Sequence, residues 1–574
     1  MRRRLTVILL GVGVVALVTV WSVGSGNPKA APRGERLLGP TPASQPVEFT
    51  LVLRQPGHRR LVRFLHDVND PSSPRYRHYI DATQFGERYG LKRDVLRRVA
   101  KGLALRGITV THSYPQRTTF EAHSTAAALR RVFGVRLNEY RDPKGRKFHA
   151  PATRPVIPRA FVSAITGVAG LNTRPVITRF ASPTETGFKP ADFAKAYGID
   201  KLWNLGLKGR GQTVAIYSSF TFKDSDIRQY DQDAGISGPG VCSATVKTGC
   251  VQHVPVNGGT TDTDAEDELD VETVHGMAPE ATVLNYEVPI DFSGVSTYHE
   301  WSHAFSSAIV TGVNRVVSDG RATIMSISYG GADSSSLTSG GVFTDADLQA
   351  GENAFAAAIA HGINVFVATG DQGAYQCQQF NITDHQPCVA WPAESPSVIA
   401  VGGTLLDIQS DGSYLEEAGW QDTLSSWGGG GGVSERFPRP PWQKGSVPGV
   451  TNRYSNGRRQ IPDIAGAASQ ASGTYVVFGG QAEPVGGTSA SSPFWAGYTA
   501  LVSQLAQQRG SGKLPFLNTV LYRLAGSKQR SVFHDVTRGG NRFYPSTPGW
   551  DYATGLGSPD GFRLAQAIVR EIAR

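Results

Sequence analysis

The segment VGGTSASSPFWAG, residues 485–497, contains a serine placed where it could act as a nucleophile. Thr488 and Ser489 begin an apolar stretch with helical character, and a helix N-terminus offers free backbone N–H groups and the positive end of the helix dipole. Such donors can hold the negative charge that develops on a carbonyl oxygen under attack. A serine at this place is also a common helix cap. To act as a nucleophile, Ser489 needs a neighbouring group that takes its proton.

No histidine stands where the base of such a serine would be expected. The string GGTSASSP resembles the nucleophile motif of subtilisin-like proteases, which use a histidine on an early helix and an aspartate after the first strand. Here the first strand ends VAIYSSF, with Tyr217, Ser218 and Ser219 and no aspartate. The helical segment that should carry the histidine reads DTDAEDELDVETVHGMAPEATV and is acidic. Its His275 comes too late to be the base, so we interpret it as a structural residue.

Five segments, in order along the chain, resemble the sedolisin family of serine-carboxyl peptidases: EDELD, SISYGG, ATGDQGA, GGTSASSP and the terminal HDVTRGG…PGWDYATGLGSPD. The resemblance runs from about residue 190 to the C-terminus. The N-terminal region, for example in SSPRYRHYIDATQFGERYG, resembles the activation prodomain of that family, of the pro-kumamolisin type. By position, the resemblance implies four roles: general base for Glu266, supporting acid for Asp270, oxyanion partner for Asp371 and nucleophile for Ser489.

The spacing of the two helical carboxyls agrees with these roles. Glu266 and Asp270 are four residues apart and therefore share one face of a helix. Two carboxyls in contact cannot both ionise cheaply, so we expect them to share a proton at mildly acidic pH. Asp267 and Glu268 point to other faces, whereas Asp264 and Glu272 remain competing candidates. Taken without the serine motif, EDELD would also suit a solvated acidic helix face.

Asp371 follows the apolar strand of INVFVATGD. An aspartate at this place helps an oxyanion only when it is protonated and donates an O–H bond. We therefore expect catalysis at acidic pH that fades toward neutral pH.

Two further sites follow from the resemblance. SISYGG resembles the strand that runs beside bound substrate in the family, which implies backbone pairing of Ser328 and Gly330 with a peptide. The C-terminal Gly- and Asn-rich loop carries carboxylates of the kind that calcium prefers. The resemblance implies one Ca²⁺, held by the side chains of Asp535 and Asp551 and by the carbonyls of Val536, Thr547 and Gly549.

The elements that position these residues predict an α/β fold with a subtilisin-like, doubly wound, mostly parallel sheet. An α+β prodomain is predicted to precede it. From residue 190 onward, near-continuous apolar strands such as QTVAIYSSF and INVFVATGD alternate with helical segments. We predict an inhibitory prodomain at 40–173, a linker with a maturation site at 174–189 and the catalytic domain at 190–574. The first 26 residues, with Arg2 to Arg4 before an apolar run, predict either a signal peptide or a retained membrane anchor, and in both cases an extracytoplasmic protein.

Charge and cysteines restrict the remaining interpretation. Residues 1–180 carry 31 Lys+Arg and 10 Asp+Glu, a net of +21, whereas 181–574 carry 26 and 38, a net of −12. The basic residues are scattered and accompany no nucleic-acid motif, so we predict no nucleic-acid partner. A solvated basic surface and a prodomain attracted to an acidic partner both remain open.

The four cysteines form two close pairs, Cys242 with Cys250 and Cys377 with Cys388. They suit two local disulfides in an exported protein, with zinc binding or free thiols as the alternatives.

The sequence therefore predicts a monomeric, secreted acid endopeptidase made as a zymogen, with protein or peptide substrates and its own prodomain as inhibitor. Two alternatives remain. One is a tripeptidyl peptidase of the same family, and the other is an inactive binding or adhesion protein.

Overall fold

A computed structural model describes residues 36–141, 147–171, 187–290, 301–333, 343–379, 386–422, 426–443, 447–527 and 530–573. The predicted signal or anchor segment lies outside these residues, as do residues 174–186 of the predicted linker. In the part of the chain that is described, no helix is both long and apolar enough to cross a membrane.

The N-terminal domain is α+β. Its strands are β1 (Arg36–Pro40), β2 (Pro46–Leu53), β3 (Thr109–Ser113), β4 (Thr119–Thr125), β5 (Leu137–Arg141), β6 (Lys147–Pro151) and β7 (Ile165–Ala169). Its helices are α1 (His58–Asn69), α2 (Ala82–Tyr89), α3 (Arg93–Ala104) and α4 (Ala126–Phe133). An antiparallel sheet in the order β3-β4-β2-β7 forms its centre, and a smaller one in the order β1-β5-β6 lies beside it.

The second domain begins with helix α5 (Pro190–Ala196). Its remaining helices are α6 (Asp200–Trp203), α7 (Asp224–Ala234), α8 (Ala265–Met277), α9 (Trp301–Asp319), α10 (Asp345–His361), α11 (Thr488–Gln508), α12 (Leu517–Ala525) and α13 (Gly561–Ile572). The strands of its main sheet are β8 (Thr213–Ser218), β9 (Val251–Pro255), β10 (Thr282–Glu287), β11 (Ile324–Ile327), β13 (Asn364–Ala368), β15 (Ile399–Ile408), β16 (Tyr414–Gly419) and β19 (Ile464–Ala467). Its shorter pairs are β12 (Gly331–Asp333) with β14 (Val389–Trp391), β17 (Gly432–Pro438) with β18 (Arg458–Ile461), β20 (Thr474–Phe478) with β21 (Gln481–Val485), and β22 (Phe533–His534) with β23 (Ser558–Pro559).

The main sheet is almost entirely parallel. Its order is β16-β15-β13-β11-β8-β10-β9, with β19 also paired to β15, and only the β15–β16 pair is antiparallel. The predicted doubly wound α/β sheet and the preceding α+β domain are both confirmed. Because the strands are parallel, their carboxyl ends meet at one edge, where active sites of such folds gather.

Helices cover both faces of this sheet. Along β8, Val214 and Ile216 point into one core, and Ala215 and Tyr217 point into the other. Helices α8 and α11 fill the first core, and α9 and α10 fill the second. This two-sided burial explains why the strands read as continuous apolar runs rather than as alternating patterns.

The N-terminal domain packs over α9 and α10. Apolar residues of α1 and α2, such as Phe64 and Phe85, belong to the same core as α10. Hydrogen bonds join Gln116 Nε2 to Asn314 Oδ1 at 2.8 Å and the Gly170 N–H to Asp347 Oδ1 at 2.9 Å. Between residues 36–171 and 187–573, as far as they are described, no Lys or Arg forms an ion pair with Asp or Glu across this contact. Apolar burial and hydrogen bonds, including one from the charged Arg77 to the Ser511 carbonyl, therefore hold these two surfaces together.

Two local disulfides are present, Cys242–Cys250 and Cys377–Cys388, which confirms the pairing predicted from the sequence. Within the described residues no cysteine is free.

Candidate active site

Helices α8 and α11 bring the predicted catalytic residues together. They lie against each other at Gly497, where a Cβ atom would stand 2.7 Å from Cβ of Met277, so glycine permits the close approach. Ser489 is the second residue of α11 and only 5% exposed. Gly487 caps this helix with a φ of 135°, a conformation that suits glycine and turns the chain sharply into the helix.

The Ser489 hydroxyl lies between the carboxyl of Glu266 and the carbonyl of Ser328. Its Oγ donates to the Ser328 oxygen at 3.3 Å. Burial, and then the nearby charge of Asp270, raise the pKa of Glu266 well above its usual value. The interaction with the Ser489 hydroxyl lowers this pKa by a smaller amount. A serine hydroxyl beside a carboxyl with a raised pKa has the arrangement that proton transfer requires.

Asp270 lies one helical turn beyond Glu266, as predicted, and is fully buried. Burial raises the pKa of Asp270 well above its usual value, while the Ser328 hydroxyl, which donates to Asp270 Oδ1 at 2.5 Å, lowers it. Glu266 Oε1 and Asp270 Oδ2 have no hydrogen-bond partner among the described residues. This pair therefore has room for one shared proton next to the serine.

The other carboxylates of the acidic helix are engaged elsewhere. Asp264 caps α8 by accepting from the Glu266 N–H at 3.1 Å, and Asp267 accepts from the Ser218 hydroxyl at the end of β8. Glu268 accepts from the Lys223 N–H, and Glu272 accepts from the Val477 N–H at 2.9 Å. Of the six carboxyl groups, Glu266 is the one next to the Ser489 hydroxyl.

Asp371 faces the same helix N-terminus from the end of β13. Its Oδ1 accepts from both the N–H and the hydroxyl of Thr488, at 2.8 and 2.7 Å. Its Oδ2 has no partner among the described residues and lies 2.8 Å from the place where a Cβ of Gly487 would stand. Burial raises the pKa of Asp371 to about 7, although the bonds from Thr488 lower it. Below that pH the carboxyl can donate an O–H bond beside Ser489.

Ser328 and Gly330 continue the chain beyond β11 and are partly exposed, whereas Tyr329 between them is buried. The two residues are therefore placed at the open edge of the site, as backbone pairing with a peptide would require. The structure adds a contact that the sequence did not indicate, since the Ser328 hydroxyl bonds to Asp270.

His275 belongs to a different part of the molecule. Its Nε2 is bonded to Asp231 Oδ1 at 2.8 Å, and its side chain is fully buried. It is nine residues from Glu266 on α8, which corresponds to about 13 Å along a helix. His275 therefore does not take the place of the base.

The residues predicted to hold calcium lie on one C-terminal loop. Asp535 accepts from the Gly549 N–H at 3.0 and 3.1 Å, and Asp551 accepts from the Thr547 N–H at 2.8 Å. Val536 and Asp551 are buried, and Gly549 has a φ of 84°. The described residues contain no group of three or more His, Cys, Asp or Glu side chains arranged to hold a metal.

Sequence reasoning missed the role of Thr488, which joins the loop of Asp371 to the helix of Ser489. Besides its two bonds to Asp371, its Oγ1 accepts from the Gly370 N–H at 3.0 Å. The available signal was its position beside Ser489 in the GGTSASSP string, which gives no indication of its partner.

A serine at a helix N-terminus beside a helix-borne carboxyl pair, at the carboxyl edge of a mostly parallel sheet, is the arrangement expected of a serine-carboxyl peptidase of subtilase-like fold. Sequence comparison leads to the same class. Residues 33–174 match the family "Pro-kumamolisin, activation domain", and residues 255–524 match the "Subtilase family". The chain belongs to the sedolisin family of serine-carboxyl peptidases and carries the activation prodomain of a zymogen.

Individual relatives cover nearly the whole chain. Kumamolisin from Bacillus sp. (strain MN-32) is 32% identical over 554 residues, which is 92% of this chain and 93% of that protein. Sedolisin from Pseudomonas sp. (strain 101) is 28% identical over 92% of this chain and 88% of its own length, and tripeptidyl-peptidase 1 from Homo sapiens is 26% identical over 94% and 95%. Among solved structures, Pseudomonas sedolisin complexed with two molecules of pseudo-iodotyrostatin is similar with a TM-score of 0.55 and 30% identity, over 67% of this chain and 98% of that one.

Proposed function

We propose that this peptidase is an exported endopeptidase that works at acidic pH, with Glu266, Asp270, Asp371 and Ser489 as its catalytic residues. The observation that carries the proposal is the Ser489 hydroxyl lying beside the Glu266 carboxyl, while the only histidine of that helix is bonded to Asp231. A carboxyl base with a raised pKa replaces the imidazole of other serine peptidases and moves the working pH toward acid.

The proposed acylation step gives each of the four residues one role. Ser489 Oγ attacks the carbonyl carbon of the scissile bond while its proton passes to Glu266. Asp371, protonated at Oδ2, donates to the oxyanion. Glu266 then gives the proton to the leaving amine, so the acyl-enzyme forms with Glu266 ionised again. Water repeats the sequence in deacylation, and Asp270 stabilises the pair by holding the second proton.

The proposed mechanism has a pH limit on each side. Glu266 must be able to accept a proton, so activity falls when the pair becomes fully protonated at low pH. Asp371 must be protonated, so activity falls as the pH rises through its pKa of about 7. A bell-shaped profile with its maximum below neutral pH is the expected result.

One experiment tests the base, the acid dependence and the mode of cleavage together. Peptide hydrolysis by the wild type and by Glu266→Gln is measured from pH 3 to 9, and product lengths are read by mass spectrometry. The proposal requires an acid optimum, internal cleavage and loss of activity in the variant. Glu272→Gln is the matched control, because glutamine at 272 can still accept from the Val477 N–H. An optimum at pH 8, or an active Glu266→Gln, would refute the mechanism.

A tripeptidyl peptidase is the second candidate, because relatives with that name cover most of the chain, as in the human protein. The same mass spectra decide between the two, since that enzyme would release only three-residue products from the N-terminus of a peptide.

We also propose that the C-terminal loop holds one Ca²⁺ through Asp535 and Asp551 and the carbonyls of Val536, Thr547 and Gly549. The donor set suits calcium, because it consists only of carboxylate and carbonyl oxygens. Two carboxylates share the loop, one of them buried, and neither forms an ion pair with Lys or Arg within the described residues. A bound cation would offset this charge and would fix the loop against the domain.

Export and maturation complete the proposal. The Arg-led apolar segment at the N-terminus suits export by a signal peptide or by a retained anchor. Cleavage between residues 174 and 189 would free the catalytic domain from its prodomain. If Ser489→Ala were processed as fast as the wild type at pH 4, cleavage by the enzyme itself would be ruled out.

A further inference from the structure

Arg542 lies beside the loop of Asp371 and has no acidic partner in the described part of the chain. Its Nη1 donates to the carbonyl oxygen of Gln372, the residue after Asp371, at 2.9 Å. Its guanidinium lies over the Tyr375 ring, 5.2 Å from the ring centroid. Burial lowers the pKa of Arg542, and the charged form is supported only by Tyr375. A half-buried guanidinium of this kind is ready to receive a carboxylate from outside.

The surrounding loops fix this guanidinium relative to the catalytic residues. The Gly428 N–H donates to the Asp371 carbonyl at 2.8 Å, and the Gly373 N–H donates back to the Gly428 carbonyl at 2.7 Å. The Ala374 N–H donates to the Asn541 carbonyl at 2.9 Å, which attaches the loop of Arg542 to the loop that follows Asp371. Arg542 is thus joined by main-chain bonds to the segment that begins at Asp371.

The backbone of Arg542 adds a second observation. Its φ is 76°, in the left-handed region that non-glycine residues seldom adopt, and its N–H is held by Gln421 Oε1 at 3.1 Å. Such a conformation costs energy and is retained where the surrounding structure enforces it, often at functional sites. Here it directs the arginine toward Tyr375 and Gln372 rather than into solvent.

An aromatic surface borders the guanidinium. Phe543 is 43% exposed, and its ring lies 6.0 Å from the ring of Tyr375 and 6.0 Å from that of Tyr454. Large exposed rings beside a cation form a surface suited to a side chain with an apolar stem and an anionic head.

We propose that Arg542, together with Tyr375 and Phe543, forms a substrate subsite that selects an acidic side chain close to the scissile bond. The proposal rests on the peptidase function proposed above and adds a substrate class to it. The planar guanidinium would bind the carboxylate through paired N–H bonds, and the ring of Phe543 would cover the methylene stem. Arg542 touches substrate in this view but takes no part in proton transfer.

Internal competition between paired peptides tests the subsite. Each pair differs at one position, from three residues before to three residues after the cleaved bond, and carries either cysteic acid or asparagine there. The sulfonate of cysteic acid stays ionised at acid pH, so the contrast does not depend on the pH of the assay. Both peptides are mixed with the acid-incubated full chain, and mass spectrometry gives the ratio of their kcat/KM values. This ratio is independent of the fraction of active enzyme.

The wild type is expected to prefer the acidic peptide at one position by about 10-fold, the scale of one charge-assisted contact. Arg542→Gln should reduce that ratio to about 1, and Arg542→Lys should keep part of it, because lysine retains the charge without the planar fork. Arg538→Gln is the control, since Arg538 lies on the same loop but is paired with Glu416. Its ratio should equal that of the wild type.

Two outcomes would overturn the subsite. One is a wild type that shows no preference at any position. The other is an Arg542→Gln that keeps the wild-type ratio, which would make Arg542 a residue that only holds the Asp371 loop. Cleavage of neither peptide by the wild type at any pH would instead contradict the proposed function itself, so the two failures are distinguishable.

Discussion

At the scale of single residues, the proposed chemistry depends on where protons lie among buried carboxyls. Six carboxyl groups fall within one acidic helix and its cap, and spacing alone could place Glu266 and Asp270 on a shared face. The sequence left Asp264 and Glu272 as competing candidates, because their partners could not be predicted from it. In the structure Asp264 caps the helix by accepting from the Glu266 N–H, and Glu272 accepts from the distant Val477 N–H.

Asp371→Asn should separate the donor role of this side chain from its ionisation. Asparagine can still accept the Thr488 bonds at one atom and can donate an N–H at the other, and it never becomes an anion. Because the pKa of Asp371 is about 7, the wild type should lose kcat above that pH, and the asparagine variant should lose less. Asp371→Ala should reduce kcat by roughly 10²–10³-fold at every pH, since it removes the donor. Identical pH profiles for wild type and Asp371→Asn would remove Asp371 from the mechanism.

Ser328→Ala tests the hydroxyl contact that the sequence did not indicate. The Ser328 bond lowers the pKa of Asp270, so its loss should raise that pKa and move the acid limb of the kcat profile to higher pH. We expect kcat to fall roughly 2- to 10-fold, the range of one hydrogen bond, with KM unchanged because the backbone carbonyl remains. Ser326→Ala, two residues earlier on β11 and bonded to Ser492 instead, should leave the profile in place. A change in KM alone would assign Ser328 to substrate binding only.

At the scale of elements, the apolar runs predicted the main strands because those strands are buried on both faces. The runs QTVAIYSSF and INVFVATGD correspond to β8 and β13. The order of the strands in the sheet was not predictable in the same way, because it depends on long-range pairing such as that of β19 with β15. For the same reason Thr488 was recognised as a neighbour of Ser489 but not as the partner of Asp371.

The C-terminal loop provides the element-scale prediction. If the loop binds Ca²⁺, chelation of the purified protein should lower its melting temperature, because a ligand bound only to the folded state stabilises it by mass action. A decrease of roughly 3–6 °C is expected for an ion present at about 100 times its Kd. Added Ca²⁺ should restore the value and Mg²⁺ should not. In Asp535→Asn, which can still accept the Gly549 N–H, neither chelation nor Ca²⁺ should have an effect. An unchanged melting temperature in the wild type would reject the site.

At the scale of the whole molecule, the opposite net charges of the two domains are not matched by Lys or Arg ion pairs with Asp or Glu across the described part of their interface. The basic N-terminal third suggested attraction to the acidic remainder, yet the described interface consists of apolar side chains and hydrogen bonds, and its Arg77 is bonded to a main-chain carbonyl rather than to a carboxylate. The arginines of α3 and α4 lie mostly on the exposed side of their helices. Composition gave the correct sign of charge for each part but could not show which side chains meet, because that depends on how the two surfaces dock.

One titratable group within this interface predicts how acid weakens it. His361, the buried last residue of α10, lies against the Ile80 carbonyl, with Asp81 and Lys513 near it. From the prodomain, Tyr79 bonds to the Leu514 carbonyl and Arg77 to the Ser511 carbonyl, on the loop of Lys513. Burial, and then the charge of Lys513, lower the pKa of His361 below its usual value, although Asp81 and Ile80 raise it. We expect the burial that the docked prodomain adds to outweigh the opposing effects of Asp81 and Ile80, so docking should favour neutral His361, be at full strength above the ordinary pKa and weaken as the pH falls below it.

His361→Gln should consequently keep the prodomain docked at a lower pH than its parent. The comparison is made in Ser489→Ala, which cannot cleave itself, and docking is followed by hydrogen exchange in β2 and β7, the strands next to α10. Each unit of difference between the pKa values of His361 in the free and docked states changes the docking equilibrium by up to about 10-fold. Glutamine removes that contribution. His58→Gln on the exposed face of α1 serves as the control and should undock with its parent. If the two variants undock at the same pH, protonation of His361 does not release the prodomain, and the carboxyl groups of the interface become the next candidates.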